Sequence, residues 1–505
     1  MNTTDFFKRL ELHATDTERV AVIERSAACT YVQLLADVSA RASLLTCTGV
    51  KMLATLADNS AAWIVTDLAA LAAEVPHVPL PLFFTPAQIA ATLAATSADA
   101  VMAPLSLARG IEPLGFTIVD EFSDGLVLLR RLSVAPALPS GTAKITFTSG
   151  STGNPKGVCL SAPGMFAVAE AIAQATTALG VTRHLNALPF PVLLENIAGV
   201  YAPLLQGAAC VAVSLDDVGL SGSSRFDPIR FHGALVEYRA QSVITLPQML
   251  QAYTDSLRQG REAPADLALM AVGGAVVGDA LLSQAQAMGL PVMEGYGLSE
   301  GSSVQTLNLP GHSRRGSAGR ALGHARLRIA RDGEIEIAGS LFLGYLGEAA
   351  GPGEWLPTGD LGRLDEDGFL FVDGRKKNLL ITAYGRNVSP EWVETALRDH
   401  PLIAQAVVFG DAEPALGAVL WPADPAVSDD AMQIALDEVN RGLPDYARIG
   451  PWCRAVADYS AASGFATANG RPRRPQILAR HDTLFSANSI VSSIDSSIDS
   501  SVRQS

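Results

Sequence analysis

The chain has 505 residues, of which 48% are hydrophobic and 17% are charged. This composition is typical of globular proteins and excludes a mainly disordered chain, and the length is sufficient for two or three domains. The formal net charge is −14, which argues against general nucleic-acid binding because that function requires a basic surface. The most basic cluster, formed by Arg471, Arg473 and Arg474, is too short to change this conclusion.

Five cysteines are scattered along the chain without a C-x-x-C pair. Their number and spacing predict reduced thiols and neither a disulfide framework nor a zinc site. Residues 1–20 carry acidic side chains and no apolar core, so no secretory signal is predicted. Segment 75–98 lacks Asp, Glu, Lys and Arg, but its prolines would break a spanning helix, so we expect buried turns and strands there. We therefore expect a cytoplasmic protein without a membrane span or a nucleic-acid partner.

Helical and strand-like segments alternate over the first three hundred residues. Residues 30–45 have apolar side chains at helical spacing, and residues 61–74 form a second helical stretch. Short apolar runs before turns predict buried strands at 50–57, 143–149, 208–214 and 267–274. This alternation predicts α/β layers with largely parallel sheets.

The sequence pattern changes after Arg326. Residues 327–339 and 362–375 are strand-like and contain Asp-Gly turns, which predicts hairpins of a small β-rich subdomain. Ser389 is placed to cap a helix that has Pro390 at its first position. This helix opens a C-terminal module of about 100 residues. The Ser-rich segment 486–505 is predicted to be disordered.

Residues 147–157 read FTSGSTGNPKG and concentrate small and hydroxylated residues around Lys156. Such a segment lets backbone N–H groups approach an anion, and the lysine adds a positive charge, which predicts a phosphate loop. It is not a Walker A loop, because Pro155 stands where that motif requires glycine. The positions of Gly150, Gly153 and Gly157 also exclude the dinucleotide-binding fingerprint. The alternative interpretation is a flexible surface linker.

Three later segments also concentrate residues suited to chemistry. They read MEGYGLSEGSS at 293–303, WLPTGDLGRL at 355–364 and DGRKKNLLITAYGRNVSPEWVE at 373–394. Together with the phosphate loop, and in this order, they resemble the core motifs of the adenylate-forming superfamily. That superfamily includes acyl-CoA synthetases, nonribosomal-peptide adenylation domains and luciferases. The resemblance extends over residues 25–480.

The resemblance implies an α/β fold. It comprises a large N-terminal domain of layered, mostly parallel sheets with helices and a small β-rich subdomain, followed by a smaller, mobile α+β C-terminal domain. In this sequence it implies an ATP- and acyl-binding domain at 1–373, a hinge at 374–378 and a C-terminal domain at 379–485. Lys377 corresponds to the hinge residue, which would absorb a large backbone change. Its alternative interpretation is a solvated basic turn.

Members of this superfamily use ATP and Mg²⁺ to convert a carboxylic acid into an acyl-adenylate with release of pyrophosphate, and a thiol then displaces AMP. Because the attacking carboxylate and the α-phosphate are both negative, the site must neutralise charge and align the reactants. The resemblance assigns the β- and γ-phosphates to these residues of the loop: Thr148, Ser149, Gly150, Ser151, Thr152, Gly153 and Lys156.

Further residues are assigned by the resemblance to the adenine and the metal ion. Glu300 corresponds to the magnesium ligand, and it follows Ser299 where the family most often has threonine. Tyr296 corresponds to the residue that stacks on adenine, although a packed core aromatic is the alternative. The resemblance also assigns six further residues to contacts around the nucleotide: Gly273, Gly274, Ala275, Glu294, Gly295 and Gly297.

Two charged residues correspond to the part of the family site that holds the ribose. Asp360 corresponds to the acid that accepts hydrogen bonds from the ribose hydroxyls, and Arg375 to the residue that reaches the ribose and phosphate. A lone aspartate in a turn more often caps backbone amides. The ribose assignment therefore depends on the surrounding PTGD segment and on Arg375.

The C-terminal region departs from the family pattern at the position of a catalytic lysine. Arg471, in the segment GFATANGRPRRPQI, stands at that position. A guanidinium is also cationic, but it is larger and planar and does not freely replace an ammonium. Three interpretations remain open: Arg471 performs the lysine's task, another basic residue such as Arg473 does so, or adenylation is weak. The third would make the protein a degenerate member that binds nucleotide or acyl-adenylate with weak turnover.

The expected acyl pocket is apolar. Val192 and Leu193 occupy the segment where many relatives have an aromatic residue or histidine, and Glu195 is the only acid nearby. An apolar lining favours a hydrophobic tail, because each buried CH₂ contributes about 0.8 kcal/mol, although ordinary core packing gives the same pattern. We therefore expect a fatty or other hydrophobic carboxylic acid as substrate. The thiol acceptor is either CoA or the phosphopantetheine arm of an acyl or peptidyl carrier protein.

Overall fold

The computed structural model describes residues 1–134, 137–148, 156–222, 225–274, 277–348, 351–381, 387–411, 413–467 and 470–485. Within these ranges the α-helices are α1 Thr3–His13, α2 Tyr31–Cys47, α3 Ala61–Ala72, α4 Pro86–Ala95, α5 Leu105–Ile111, α6 Ala162–Thr176, α7 Ala202–Gln206, α8 Pro228–Glu237, α9 Pro247–Leu257, α10 Asp279–Ala287, α11 Pro390–Arg398, α12 Asp429–Gly442 and α13 Arg474–Arg480. Short 3₁₀ helices are formed by Glu112–Leu114, Thr177–Leu179, Ser299–Gly301, Lys376–Asn378 and Asp445–Ala447.

The strands of the same ranges are short. They are β1 Val20–Ile23, β2 Ala28–Thr30, β3 Leu53–Thr55, β4 His77–Pro79, β5 Ala100–Pro104, β6 Thr117–Glu121, β7 Leu126–Arg130, β8 Thr142–Thr148, β9 Lys156–Ser161, β10 Arg183–Leu185, β11 Ala209–Val211, β12 Leu220–Ser221, β13 Arg225–Phe226, β14 Ser242–Thr245, β15 Leu269–Val272, β16 Val292–Leu298, β17 Ser303–Leu307, β18 Arg320–Ala321, β19 Arg326–Ile329, β20 Glu334–Ala338, β21 Gly344–Tyr345, β22 Leu356–Leu364, β23 Leu370–Arg375, β24 Leu380–Ile381, β25 Asn387–Val388, β26 Ile403–Phe409, β27 Leu416–Pro422 and β28 Ile449–Arg454.

Two large sheets form most of the N-terminal part of the described chain. One has nine strands in the order β18-β17-β16-β15-β14-β10-β11-β1-β2, and the other has eight in the order β21-β9-β8-β4-β3-β5-β7-β6. The central pairs are parallel, for example β10 with β14 and β3 with β4, and antiparallel strands such as β9 and β17 flank them. The four buried strands expected from the sequence are present as β3, β8, β11 and β15. The α/β prediction is confirmed, with sheets that are mixed at their margins.

The helices cover the sheets because their apolar residues recur at helical spacing. Helix α2 begins at a capping box formed by Thr30 and Gln33, and its buried residues include Tyr31 and Leu34. Helix α3 is buried from Ala62 to Leu71, so it lies inside the molecule. Both helices lie where the sequence predicted them.

Segment 75–98 is only partly as expected. Strand β4 is fully buried, in agreement with the prediction. The second half forms helix α4, which the sequence analysis did not predict. Thr85 and Gln88 make a capping box there and Pro86 occupies the first turn, where its missing N–H costs no hydrogen bond. No helix within the described ranges is long and apolar enough to cross a membrane.

A π-helix lies between the two sheets at Glu195–Tyr201 and continues into α7. Its i→i+5 hydrogen bonding is rare and often occurs at functional sites. Gly199 is required within it, because a Cβ at this position would come within 2.6 Å of Glu195 Oε1. The buried Glu195 carboxylate accepts a 2.8 Å hydrogen bond from Asn186, and burial raises its pKa.

The β-rich subdomain and the C-terminal α+β domain follow. Strands β19, β20, β22 and β23 form an antiparallel sheet, and Gly333 and Gly368 adopt positive φ in its Asp-Gly turns. The C-terminal domain packs α11 and α12 on the sheet β26-β27-β28. Helix α11 begins after Ser389 as expected, but the Ser389 hydroxyl donates to the Asp373 carbonyl and does not cap the helix. The tail 486–505 lies outside the described residues.

Candidate active site

The predicted phosphate loop connects β8 to β9 in the eight-stranded sheet. Ser149, Gly150, Ser151, Thr152 and Gly153 lie outside the described residues, so their phosphate roles stay predictions. The ends of the loop are described: Thr148 closes β8 and is paired with Lys156 at the start of β9. Thr148 and Lys156 thus lie at the carboxyl end of β8, a strand that runs parallel to its neighbour β4.

One aromatic residue, Tyr345, contacts both Lys156 and Glu300, the residue that the resemblance assigns to magnesium. The Lys156 ammonium lies 4.5 Å from the centroid of the Tyr345 ring and 3.7 Å from Glu348 Oε1. The Tyr345 hydroxyl donates a 2.9 Å hydrogen bond to Glu300 Oε1. Burial and the charge of Glu300 raise the pKa of Tyr345. Sequence reasoning missed Tyr345, because nothing in its local sequence distinguishes it from a packed aromatic residue.

Asp360 is the centre of a second group of contacts. Its strand β22 pairs with β23 so that Asp360 lies directly opposite Arg375, and Arg375 Nε is 2.7 Å from Asp360 Oδ1. The Tyr296 hydroxyl donates a 2.7 Å hydrogen bond to Asp360 Oδ2. Burial raises the pKa of Asp360, while the charge of Arg375 and the bond from Tyr296 act in the opposite direction. Three residues assigned separately from the sequence therefore form one connected group.

The glycines assigned to the nucleotide lie where two chain segments approach closely. A Cβ on Gly273 would come within 3.1 Å of the Gly295 carbonyl oxygen, and one on Gly297 within 2.1 Å of the Ser303 carbonyl oxygen. Gly274 has a φ of +86°, a conformation that favours glycine. Ala275 lies outside the described residues.

Glu294 and Ser299 flank this region in different environments. Burial raises the pKa of Glu294 to about 8, and its carboxyl group accepts a 3.3 Å hydrogen bond from the Val277 backbone. Ser299 begins the short 3₁₀ helix that carries Glu300. The contacts of Glu294 are those of a buried structural group, and its assignment to the nucleotide stays a prediction.

Arg471 belongs to the C-terminal domain, where its backbone lies beside Thr467. Ala466 and Pro472 form a β-bridge, and the Thr467 N–H donates to the Arg471 carbonyl at 2.8 Å. Gly470, the residue preceding Arg471, approaches the N-terminal domain, since a Cβ on it would lie 3.2 Å from Gln248 Nε2.

The electrostatic surroundings of Arg471 connect it with the other site residues. Partial desolvation and repulsion by Arg375 lower the pKa of Arg471, whereas Asp360 and Glu300 raise it. Desolvation lowers the pKa of Lys377 as well, followed by repulsion from Arg375 and Arg471. Arg471 and Lys377 therefore both lie within electrostatic range of Asp360.

The two other arginines of the basic cluster have different environments. Arg474 makes a 2.6 Å ion pair with Glu394 and donates to the Val408 carbonyl, which ties α13 to the C-terminal domain. Arg473 is exposed, and its backbone N–H donates to the Phe465 carbonyl. None of these contacts of Arg473 and Arg474 involves Asp360.

Two cavities are lined in part by residues of the π-helix or of the segment that precedes it. A cavity of about 340 Å³ is lined by Asp58, Phe83, Pro189, Pro191 and Leu215, among others. A smaller, mainly aliphatic cavity of about 60 Å³ is lined by Leu194, Ala198, Ile244, Ala271 and Val304, among others. The second cavity begins beside the nucleotide segments, because Ala271 precedes Gly273 by two residues and Val304 pairs with Gly297.

Val192 and Leu193 line neither of these two cavities. Leu193 is buried in the main core and Val192 is half-buried. The next residue, Leu194, and Ala198 one turn later line the aliphatic cavity instead. The acyl-pocket role of Val192 and Leu193 stays a prediction, and Leu194 and Ala198 are further candidates for it. Sequence reasoning missed them because a short apolar run does not reveal a π-helix, whose wider turn changes the direction in which each side chain points.

The fold is of the α/β class, and its candidate site contains a buried carboxylate, that of Asp360, which contacts Tyr296 and Arg375. The chain belongs to the AMP-binding enzyme family. The sequence profile of that family matches residues 10–346, and the profile of the AMP-binding enzyme C-terminal domain matches residues 377–487.

Curated relatives carry the names of acid–CoA ligases. The chain is 44% identical over 154 residues to the long-chain-fatty-acid–CoA ligase FadD15 of Mycobacterium bovis. This match covers 29% of this chain and 26% of that protein. It is 31% identical over 301 residues to the 2-succinylbenzoate–CoA ligase of Bacillus velezensis, covering 55% and 58% of the two chains. The matches thus span between a quarter and three fifths of these relatives.

Solved structures share the fold over nearly the whole chain. The o-succinylbenzoate CoA synthetase of Bacillus subtilis, in complex with its acyl-adenylate intermediate, has a TM-score of 0.73 and 23% identity over 93% of this chain and 97% of its own. The anthranilate CoA ligase AuaEII, in complex with anthranoyl-AMP, has a TM-score of 0.79 and 18% identity over 95% and 99%. The α/β fold with a large N-terminal and a smaller C-terminal domain is therefore shown.

Proposed function

We propose that the protein uses ATP and Mg²⁺ to activate a hydrophobic carboxylic acid as an acyl-adenylate, with release of pyrophosphate, and then transfers the acyl group to a thiol. The observation that carries this proposal is the buried Asp360 carboxylate held between Tyr296 and Arg375. Each carboxylate oxygen has one of its lone pairs engaged by a protein group and retains another for a ribose hydroxyl.

The surrounding positive charges suit the attack of the substrate carboxylate on the α-phosphate of ATP, because both groups are anions. Lys156 begins the strand that follows the phosphate loop and suits the departing pyrophosphate. Arg375 and Arg471 supply two further cations within electrostatic range of Asp360. Such fixed charges favour a transition state in which negative charge moves onto the phosphates.

Glu300 fits a magnesium ion that is bound mainly through the nucleotide. Within the described ranges no three His, Cys, Asp or Glu side chains cluster to form an all-protein metal site. Mg²⁺ in nucleotide sites takes one or two carboxylates and completes its octahedron with phosphate oxygens and water. When bound there, the ion would neutralise phosphate charge, and Glu300 would hold it near Lys156.

The aliphatic lining of the cavity beside the nucleotide segments suits the apolar part of a hydrophobic acid next to its carboxyl group, because a volume of about 60 Å³ takes only part of a long chain. Burying each CH₂ of such an acid contributes about 0.8 kcal/mol. The relatives named above act, by their names, on long-chain fatty acids or on 2-succinylbenzoate, so both an alkyl and an aryl acid belong in the test. The same names favour CoA over the phosphopantetheine arm of a carrier protein as thiol acceptor.

The test is ATP–pyrophosphate exchange with octanoate, dodecanoate, hexadecanoate, benzoate and 2-succinylbenzoate, followed by thioester formation with CoA or a phosphopantetheinylated carrier protein. We expect exchange with at least one hydrophobic acid, and loss of that exchange in Asp360→Ala. Asp367→Ala is a matched control, because Asp367 is an exposed residue of the same β22–β23 hairpin. Tight ATP binding without exchange for any acid would favour the degenerate alternative.

A further inference from the structure

A fully buried network of charged and polar side chains lies apart from the residues discussed above. Lys144 Nζ lies 2.7 Å from Asp67 Oδ1, and it donates to the Tyr201 hydroxyl at 2.9 Å and to Asn196 Oδ1. Asp67 Oδ2 accepts hydrogen bonds from Tyr201 at 2.6 Å and from Asn196 at 3.0 Å. His77 bonds the other oxygen at 2.6 Å. All five side chains are at most 1% exposed.

The network is fully satisfied, so it holds its members in one arrangement. Although burial alone acts to raise it, the charge of Lys144 and the hydrogen bonds hold the pKa of Asp67 below its ordinary value. A buried ion pair adds little net stability compared with well-packed apolar residues, but removing one partner leaves an unpaired buried charge. Because burying these charges costs desolvation free energy without much net stability, we infer that the network serves to hold its side chains in a defined geometry.

Lys144 belongs to the strand that leads to the phosphate loop. It lies on β8 four residues before Thr148, and Thr148 pairs with Lys156 across the β8–β9 ladder. His77 is the partner of Lys144 in the neighbouring parallel strand β4. A displacement of Lys144 along β8 would therefore move Thr148, and through the ladder it would move Lys156.

The other half of the network belongs to the helix beside the aliphatic cavity. Asn196 and Tyr201 are five residues apart, and the i→i+5 hydrogen bonding of a π-helix brings such residues to the same side. Ala198 of this helix, and Leu194 just before it, line the cavity. The Lys144 contacts thus connect the wall of the cavity to β8, the strand whose last residue, Thr148, pairs with Lys156.

We propose that Lys144 is a positioning residue, which fixes the distance between the proposed acyl cavity and the phosphate-binding end of β8 through Asp67, Asn196 and Tyr201. This inference rests on the proposed function, since alignment of the acid with the α-phosphate is what it would serve. Misplacement of reacting groups by about 1 Å can reduce a rate by about 10²-fold.

The test is the single-turnover rate of acyl-adenylate formation with enzyme in excess over ATP. The acid is whichever of dodecanoate, benzoate and 2-succinylbenzoate supports the fastest exchange by the unmodified protein. This rate constant reports only correctly folded sites, because unfolded molecules lower the amount of active protein but not the rate at each site. We expect Lys144→Met to lower it by about 100-fold, with the affinity for ATP, measured separately by calorimetry, changed far less.

Tyr201→Phe is the milder variant, in case Lys144→Met does not fold. It removes one hydroxyl that bonds both Lys144 and Asp67 and keeps the ring, so we expect a loss of about tenfold. Arg130→Met is the matched control, because Arg130 makes a 2.9 Å ion pair with Asp99 and lies on β7, which three other strands separate from β8. Its rate constant should equal that of the unmodified protein.

The possible outcomes separate this inference from the proposed function. If the unmodified protein forms no acyl-adenylate with any of the acids, the proposed function fails and the role of Lys144 fails with it. If the unmodified protein forms acyl-adenylate and Tyr201→Phe does so at the same rate constant, the positioning role alone is refuted. A loss of equal size in Arg130→Met would also refute it, since general destabilisation would then explain the effect.

Discussion

The hydroxyl of Tyr296 lies 2.7 Å from Oδ2 of Asp360, although 64 positions separate the two residues in the chain. Tyr296 belongs to β16 of the nine-stranded sheet and Asp360 to β22 of the β-rich subdomain. Arg375 completes the group from the neighbouring strand β23. The bond therefore joins two parts of the N-terminal domain at the place where we propose that the nucleotide is bound.

Asp360 is expected to make ATP binding dependent on pH. Its pKa is raised by burial, so its charge is lost at a higher pH than that of an ordinary aspartate as the pH falls. Arg375→Met removes the cation that opposes this rise and should raise the pKa of Asp360 further. ATP affinity, measured by calorimetry between pH 5 and 8, should then begin to fall at a higher pH than in the unmodified protein.

A matched control for this prediction is Arg363→Met, because Arg363 is an exposed residue of β22 that lies over the Phe371 ring. Its pH profile should coincide with that of the unmodified protein. A profile of Arg375→Met that is lowered uniformly, with no displacement along the pH axis, would show that Arg375 does not act through Asp360.

Arg471 is predicted to perform the task of the lysine that it replaces. Arg471→Ala should lower the rate of acyl-adenylate formation by about 10²–10³-fold, because a fixed positive charge at the reacting groups is lost. Arg471→Lys keeps the charge and should retain most of the rate. Arg473→Ala tests the other open interpretation and should have no effect. An unchanged rate in Arg471→Ala would exclude the role.

The aliphatic cavity should select the acid. Ala198→Leu adds bulk to its wall and should raise the KM for hexadecanoate by about tenfold, while the KM for ATP stays the same. The comparison variant is Val192→Leu. It adds one methylene to a side chain that lines neither described cavity. A larger effect of Val192→Leu would favour the pocket predicted from the sequence over the cavity lined by Leu194 and Ala198.

Glu294 should make the protein less stable as the pH rises. Burial raises its pKa from 4.5 to about 8 in the folded protein, so the folded state holds one more proton than the unfolded state between these values. Stability therefore falls with rising pH across this interval. Glu294→Gln cannot lose that proton, and its melting temperature should equal that of the unmodified protein near pH 5 and exceed it near pH 8.5.

The control for this prediction is Glu366→Gln, which changes an exposed acid. Its difference in melting temperature from the unmodified protein should be the same at all pH values. If Glu294→Gln behaves in the same way, the buried carboxyl group does not titrate in this interval.

Local sequence was sufficient for much of the fold. The apolar spacing of residues 30–45 and 61–74 predicted α2 and α3, and short apolar runs predicted strands that the structure contains. These signals are local, because helix and strand periods are set by backbone geometry. Helix α4 was missed because Pro86 was treated as a helix breaker, although proline is compatible with a first turn.

The amino-acid sequence by itself determined the candidate site residues: the predicted phosphate loop with Lys156, the acids Glu300 and Asp360, and the cations Arg375 and Arg471. Their motifs are continuous in the chain, so the resemblance to the adenylate-forming superfamily, which assigns their roles, is visible in the sequence alone. What these residues contact was decided only by the tertiary structure.

Three relationships in particular depend on packing between distant segments. They are the bond from Tyr345 to Glu300, the cavity beside Leu194 and Ala198, and the ion pair of Lys144 with Asp67. The last pair joins positions 77 residues apart in the sequence, and no local pattern contains such a separation. Only the packing of α3 and the π-helix against β8 brings Lys144 and Asp67 together.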